Sequence, residues 1–161
     1  STQAAQVYLV GHSMGSRGLA RAVADLLAAQ PQLAQKITEL ILSAPDIDSA
    51  VFKHDIAPQL AGARNPVTLY ASSEDLALAA SKAVHGYPRA GDSGAGMLIV
   101  AGVETIDATG VDTSFMKHSY FAEKRSALSD MFYLIRNNAR ADQRFLDPVD
   151  TPAGRYWTFK P

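Results

Sequence analysis

The sequence predicts an α/β fold, a parallel sheet of about four strands with flanking helices, and three observations carry that prediction. Apolar runs of strand length alternate with stretches of helical spacing along most of the chain. The run in "KITELILSAPD" is continuous rather than alternating, which suits a parallel strand covered on both faces. The stretch "VYLVGHSMGSRG", residues 7–18, passes from strand through a tight turn into a helix, the layout of a nucleophile elbow.

Taken in order, "VYLV" is the first strand, and Leu19, Ala22, Val23, Leu26 and Leu27 then follow helical spacing until "QPQ" ends the pattern. The second strand falls at about residues 38–44. "SAVFKHDIAPQLAG" reads as weakly helical. "NPVTLYASSED" is a third strand with a proline entry and a polar exit, followed by a short helix over "LALAASKAV". Glycines and a proline between Gly86 and Gly96 mark a loop. "GVETIDATGVD" gives a more alternating fourth strand. A final helix is expected with Phe121, Arg125, Leu128, Phe132 and Ile135 on its apolar face and Met131 and Leu134 beside it. From Ala141 the chain has turn chemistry and no period. The expected organisation is therefore one domain over residues 1–140 and an irregular tail over 141–161 packed on it.

The 161 residues are 47% hydrophobic and 19% charged, enough for one core that buries about two-thirds of the unfolded surface. A net charge of −1, with both signs scattered, gives no footprint for nucleic acid or an anionic membrane surface. No apolar run approaches the roughly 20 residues of a bilayer-spanning helix, and "STQAAQ" has no signal-peptide character. The compartment stays unread. Absence of cysteine removes disulfides, a thiolate nucleophile and cysteine metal ligation.

The chemistry concentrates at Gly11-His12-Ser13-Met14-Gly15. A Gly-x-Ser-x-Gly match arises by accident in a chain of this length about once in twenty, but here a strand precedes it and a helix follows it. Ser13 would take a strained backbone conformation at the tip of the turn, with Gly11 and Gly15 removing side chains that would clash there. The hydroxyl then sits by the helix N-terminus, where free N–H groups favour developing negative charge. Met14 would donate its backbone N–H to the oxyanion. The competing reading is a glycine-rich turn whose serine caps the helix.

A serine hydroxyl needs a base, and the base an acid to hold its tautomer. In folds built on this elbow the acid and then the base follow the serine in the chain. His12 lies beside the nucleophile and points elsewhere, His54 precedes the best acid on a surface helix, and His85 ends the helical segment that follows the acid. His118 follows the fourth strand and precedes the last helix, a position at the carboxyl edge of the sheet. Asp75 leaves the third strand on that same edge, where catalytic groups of open α/β sheets gather. Its neighbour Glu74 offers a substitute. Asp46 and Asp48, after the second strand, also satisfy the order, although Asp48 has an ordinary role as the N-cap of the helix opening at Ser49.

Together, "VYLVGHSMGSRGLARAV", "LILSAPDIDSAVF", "VTLYASSEDLALAASK" and "HSYF", in this order and spacing, resemble a bacterial α/β-hydrolase family of unknown function, from about Val7 to about Asn137. The resemblance implies a serine-hydrolase fold with Ser13, Asp75 and His118 as nucleophile, acid and base, and implies no substrate; the first functional reading is a serine hydrolase of esters, thioesters or amides that needs no cofactor. Twelve residues before Ser13 leave room for the elbow strand and not for the earlier strand whose loop supplies the second oxyanion donor. The sequence thus reads as the carboxyl-terminal half of the fold, and one lost donor costs about a hundred- to a thousand-fold in turnover. The other class of function in view is a hydrolase-derived binding or assembly module without activity. Either way the strand at residues 7–10, which has no charge or proline to deter pairing, is expected at a sheet edge against another chain or a second copy.

Overall fold

A computed structural model describes residues 4–73, 86–111 and 127–160. Its centre is a sheet of six strands in the order β1-β2-β3-β4-β6-β5: β1 (Val7–His12), β2 (Ile37–Ser43), β3 (Val67–Ala71), β4 (Val103–Asp107), β5 (Leu146–Thr151) and β6 (Gly154–Phe159). All neighbouring pairs are parallel except β5 with β6. The four expected strands are present, and their carboxyl ends lie along one edge.

Strand periodicity sorts the core into two layers, because successive side chains point to opposite faces. Leu40 and Leu42 of β2, with Val67 and Leu69 of β3, join one cluster; the intervening Ile41 and Tyr70, with Ile106 of β4, join the other. The first layer is covered by α1 (Met14–Ala29), through Ala20, Val23, Ala24 and Leu27. Ala22, expected on this face, is exposed. The helix ends at Ala29, before Pro31, where the sequence places its end. The weakly helical stretch is a composite of α2 (Ser49–Val51), a wide π-helical turn (Phe52–Ile56) and α3 (Ala57–Leu60). Phe52, Ile56 and Leu60 fix it to the same layer. Asp48 caps it, its Oδ1 accepting from the N–H groups of Ala50 at 2.8 Å and Val51 at 3.1 Å. The helix expected over "LALAASKAV" lies outside the described residues.

The second layer corrects the reading of the last helix, described here as α4 (Ala127–Asn137). Ala127, Asp130, Met131 and Leu134 face inward, while Leu128 and Phe132 are each 60% exposed and Ile135 is exposed as well. The inward face has helical spacing, but a carboxylate sits in it, so hydropathy alone selects the wrong side. The physical reason is a polar network. Tyr70 donates its hydroxyl to Asp130 Oδ2 at 2.6 Å. Arg144 Nη1 stands 3.0 Å from the same oxygen as a charge contact, without hydrogen-bond alignment. Beside it, Arg140 donates to Glu39 Oε2 and Glu104 Oε2, both at 2.7 Å, and Thr68 donates to Glu39 Oε1 at 3.1 Å. Burial raises the carboxyls of Glu39 and Asp130 above their ordinary range, opposed by Arg140 and Arg144 respectively. Burial, and then Asp130, raise the Tyr70 hydroxyl well above its ordinary value.

The segment expected to be irregular is largely ordered as strand, because β5 and β6 form an antiparallel hairpin that extends the sheet beyond β4. Thr151 ties its turn, accepting from Ala153 N at 3.2 Å and donating to Gly154 O at 2.8 Å. Half-exposed strands lack the apolar run that signals a buried one. The β-forming residues of "RYWTF" were the available signal.

Candidate active site

The turn between β1 and α1 is held by its backbone. Ser13 sits at φ 49°, ψ −125°, in the positive-φ region that non-glycine residues seldom occupy. Three hydrogen bonds over-determine that conformation. Ser13 N donates to Ser43 O at 2.9 Å, and Ser13 O accepts from Ser16 N at 3.1 Å and Asp46 N at 3.2 Å. The helix therefore anchors the turn on one side and the loop after β2 on the other. The Ser13 hydroxyl makes no capping bond to α1, so the capping alternative does not describe this serine. Met14 is the first helical residue, so its N–H has no intrahelical acceptor, and its side chain is 70% exposed.

The two glycines of the motif differ. A Cβ on Gly11 would lie 2.9 Å from Ser16 Cα and 3.1 Å from Leu19 Cδ2, so this glycine lets the helix cross close over the strand. A Cβ on Gly15 meets no atom within 4 Å, and its φ is not positive. The expectation that Gly15 relieves a clash is therefore incorrect among the described residues. His12, the last residue of β1, is exposed, as is His54 in the π-helical turn.

Asp75, His118 and the competing His85 and Glu74 lie outside the described residues. The structure places the ends from which the first two depart. β3 and β4 are parallel neighbours, and Ala108 N donates to Ala71 O at 2.7 Å just past them. Thr109 Oγ1 gathers both exits, accepting from Ser73 N at 3.1 Å and lying 2.7 Å from Ser93 Oγ. The edge that carries Ser13 is thus also the edge from which the chain runs on towards residues 75 and 118.

Asp46 and Asp48, the other acids in chain order, have structural work. Besides the capping role of Asp48, Asp46 Oδ1 is 3.1 Å from Arg89 Nε, and Asp46 O accepts from Arg17 Nε at 3.2 Å and Nη2 at 3.1 Å. Arg89 is only 3% exposed. Around it the glycine-rich loop threads past the β2 exit: Ala90 N donates to Ile47 O at 2.8 Å, Gly91 N to Pro45 O at 3.0 Å and Ser72 N to Gly91 O at 2.9 Å. Sequence reasoning missed Arg17 and Arg89. An arginine within the glycine-rich "YPRAGD" was the one hint, since composition there signals only a loop.

Among the described residues, no cluster of three or more His, Cys, Asp or Glu side chains is placed to hold a metal, and no helix is long and apolar enough to cross a membrane. Comparison with curated proteins and with solved structures returns no match. A family does match: residues 1–137 fit the model of an "Alpha/beta hydrolase of unknown function (DUF900)", and the chain belongs to that family.

Proposed function

We propose that this α/β hydrolase is a serine hydrolase of ester-type bonds, with Ser13 as nucleophile, His118 as general base and Asp75 as the acid that orients it. The single observation that carries the reading is the strained, uncapped Ser13, held by three backbone bonds at the carboxyl edge of the sheet. A serine whose only task was to start a helix would have no need of that conformation, which costs about 1–3 kcal/mol. In the reaction Ser13 Oγ attacks the carbonyl carbon while His118 takes its proton. The resulting oxyanion faces the Met14 N–H. Collapse of the tetrahedral intermediate breaks the bond to the leaving group, which receives the proton from His118, and water then hydrolyses the acyl-serine by the same sequence. The residues require neither metal nor organic cofactor for this chemistry.

The test is covalent labelling with a fluorophosphonate, followed by peptide mapping. Label is expected on Ser13 and lost in Ser13→Ala; modification at another serine would end the assignment.

The second oxyanion donor and the edge of the sheet belong together. β1 pairs with β2 alone among the described residues, and its Val10 is 49% exposed whereas every residue of β2 is buried. We propose that another chain or a second copy covers this edge and brings a backbone N–H above Ser13. Solution mass by light scattering checks this, and a stable monomer that hydrolyses esters at full rate would refute it.

A further inference from the structure

The helix that follows Ser13 carries Arg17 and Arg21 four residues apart, which places both on one face, the first of them one turn from the serine. The two arginines, with Arg89, form the basic side of a groove of about 380 Å³. Ile47, Val51 and Ile56 give it an apolar wall, and Tyr87, 58% exposed, stands at its margin. Only one carboxylate, that of Asp48, is among the described lining residues, and its Oδ1 already accepts two helix N–H groups.

Among the described residues, neither exposed arginine of this groove has a buried counter-ion. Among the described residues Arg17 donates to the carbonyl oxygen of Asp46, a dipole rather than a counter-ion. Arg21 faces Asp25 at 3.3 Å, but both side chains are more than half exposed and the pair is correspondingly weak. Behind them Arg89 is buried, with Asp46 Oδ1 3.1 Å from its Nε and, among the described residues, no acceptor for its Nη2. A buried guanidinium with an unmatched donor is costly, and an anion in the groove beside two exposed arginines would offset that cost. The planar forks of Arg17 and Arg21 suit carboxylate or phosphate oxygens.

We propose that this groove binds the anionic end, carboxylate or phosphate, of a ligand whose apolar stem lies along Ile47, Val51 and Ile56. Resting on the reading of Ser13 as nucleophile, it makes the substrate an ester that carries such a group. Recognition begins one helical turn from the serine.

The test uses the full chain and three probes: monomethyl glutarate, butyl phosphate and the neutral dimethyl glutarate, titrated by NMR at low and high salt. At least one anion is expected to bind at least about tenfold more tightly than the neutral diester, and less tightly as salt rises. Which anion binds better separates carboxylate from phosphate recognition. Arg17→Met, and independently Arg21→Met in case the first variant misfolds, are expected to weaken that anion about tenfold. Equal affinity for anionic and neutral probes, or undiminished binding in both variants, overturns the proposal. Arginine-dependent binding of the carboxylate probe without hydrolysis of mono-4-nitrophenyl glutarate, whose carboxylate is free, by the assembly with the highest esterase rate supports the groove and removes the nucleophile reading. Hydrolysis of charged and neutral esters alike, without anion binding, does the reverse.

Discussion

Replacement of His118 by Ala is expected to slow hydrolysis of a short activated ester by about 10⁴-fold, and Asp75→Asn to do nearly the same. The reason is the weakness of an unassisted hydroxyl. Without the imidazole no group takes the Ser13 proton as the bond to carbon forms, and without the carboxylate the ring presents the wrong tautomer. If the three residues act as the proposed unit, the double variant should lose little more than either single one. The measurement is kcat/KM for a 4-nitrophenyl ester, made on the assembly that gives the highest wild-type rate. A His118→Ala loss of less than tenfold, or an additive double variant, would remove the triad. Should His85→Ala give the large loss instead, the base would be reassigned to that residue.

Arg144→Met is expected to cost about 3–5 kcal/mol of folding free energy at neutral pH, the usual price of leaving a buried charge without its partner. Arg144 is fully buried against Asp130, whose other neighbour is the Tyr70 hydroxyl, so removing the cation leaves an ionised carboxylate in an apolar layer. The pH dependence has a definite sign. Burial already raises the Asp130 carboxyl, and Arg144 is the main influence holding it down, so the variant's folded-state pKa is higher still. Between the unfolded and folded values the native state holds more protons, and stability falls as pH rises through that window. Below the ordinary carboxylate range Asp130 is protonated in both states and the penalty shrinks. Urea unfolding at pH 7 and near pH 4 tests this, with Asp130→Asn/Arg144→Met expected to recover much of the loss. A penalty under about 1 kcal/mol at pH 7, or one equal at both pH values, would overturn the account.

The parts of this molecule that could be read from its sequence are those in which one local force dominates. β2 and β3 are covered on both faces, and continuous apolar residues state that directly. The strand-to-helix turn at Gly11 is legible because that glycine answers a steric demand that few other residues satisfy, and Asp48 because a cap lies next to the helix that it serves. Readings failed where the cause was distant in sequence. The inward face of α4 is decided by Arg144 and Tyr70, which no helical period contains, so Asp130 looked like a solvent residue and Phe132 like core. Arg17 and Arg89 serve carbonyl and carboxylate groups of the loop after β2, and neither spacing nor composition announces such a tie. The hairpin escaped because Pro148, Asp147 and Asp150 interrupt β5, which can tolerate them only as an outermost strand.

That interruption sets a limit on assembly. The two margins of the sheet are unlike: β5 carries a proline and acidic side chains, with Asp150 bound to Arg155 at 2.7 Å, whereas β1 has neither proline nor acid nor lysine. If the occupant of β1 is a second copy, the same strand serves both partners and a two-fold axis relates them. Both attractive margins are then consumed in a single contact, and the doubled sheet ends on a guarded β5 at each side. Growth stops at two, a finite particle rather than a fibre.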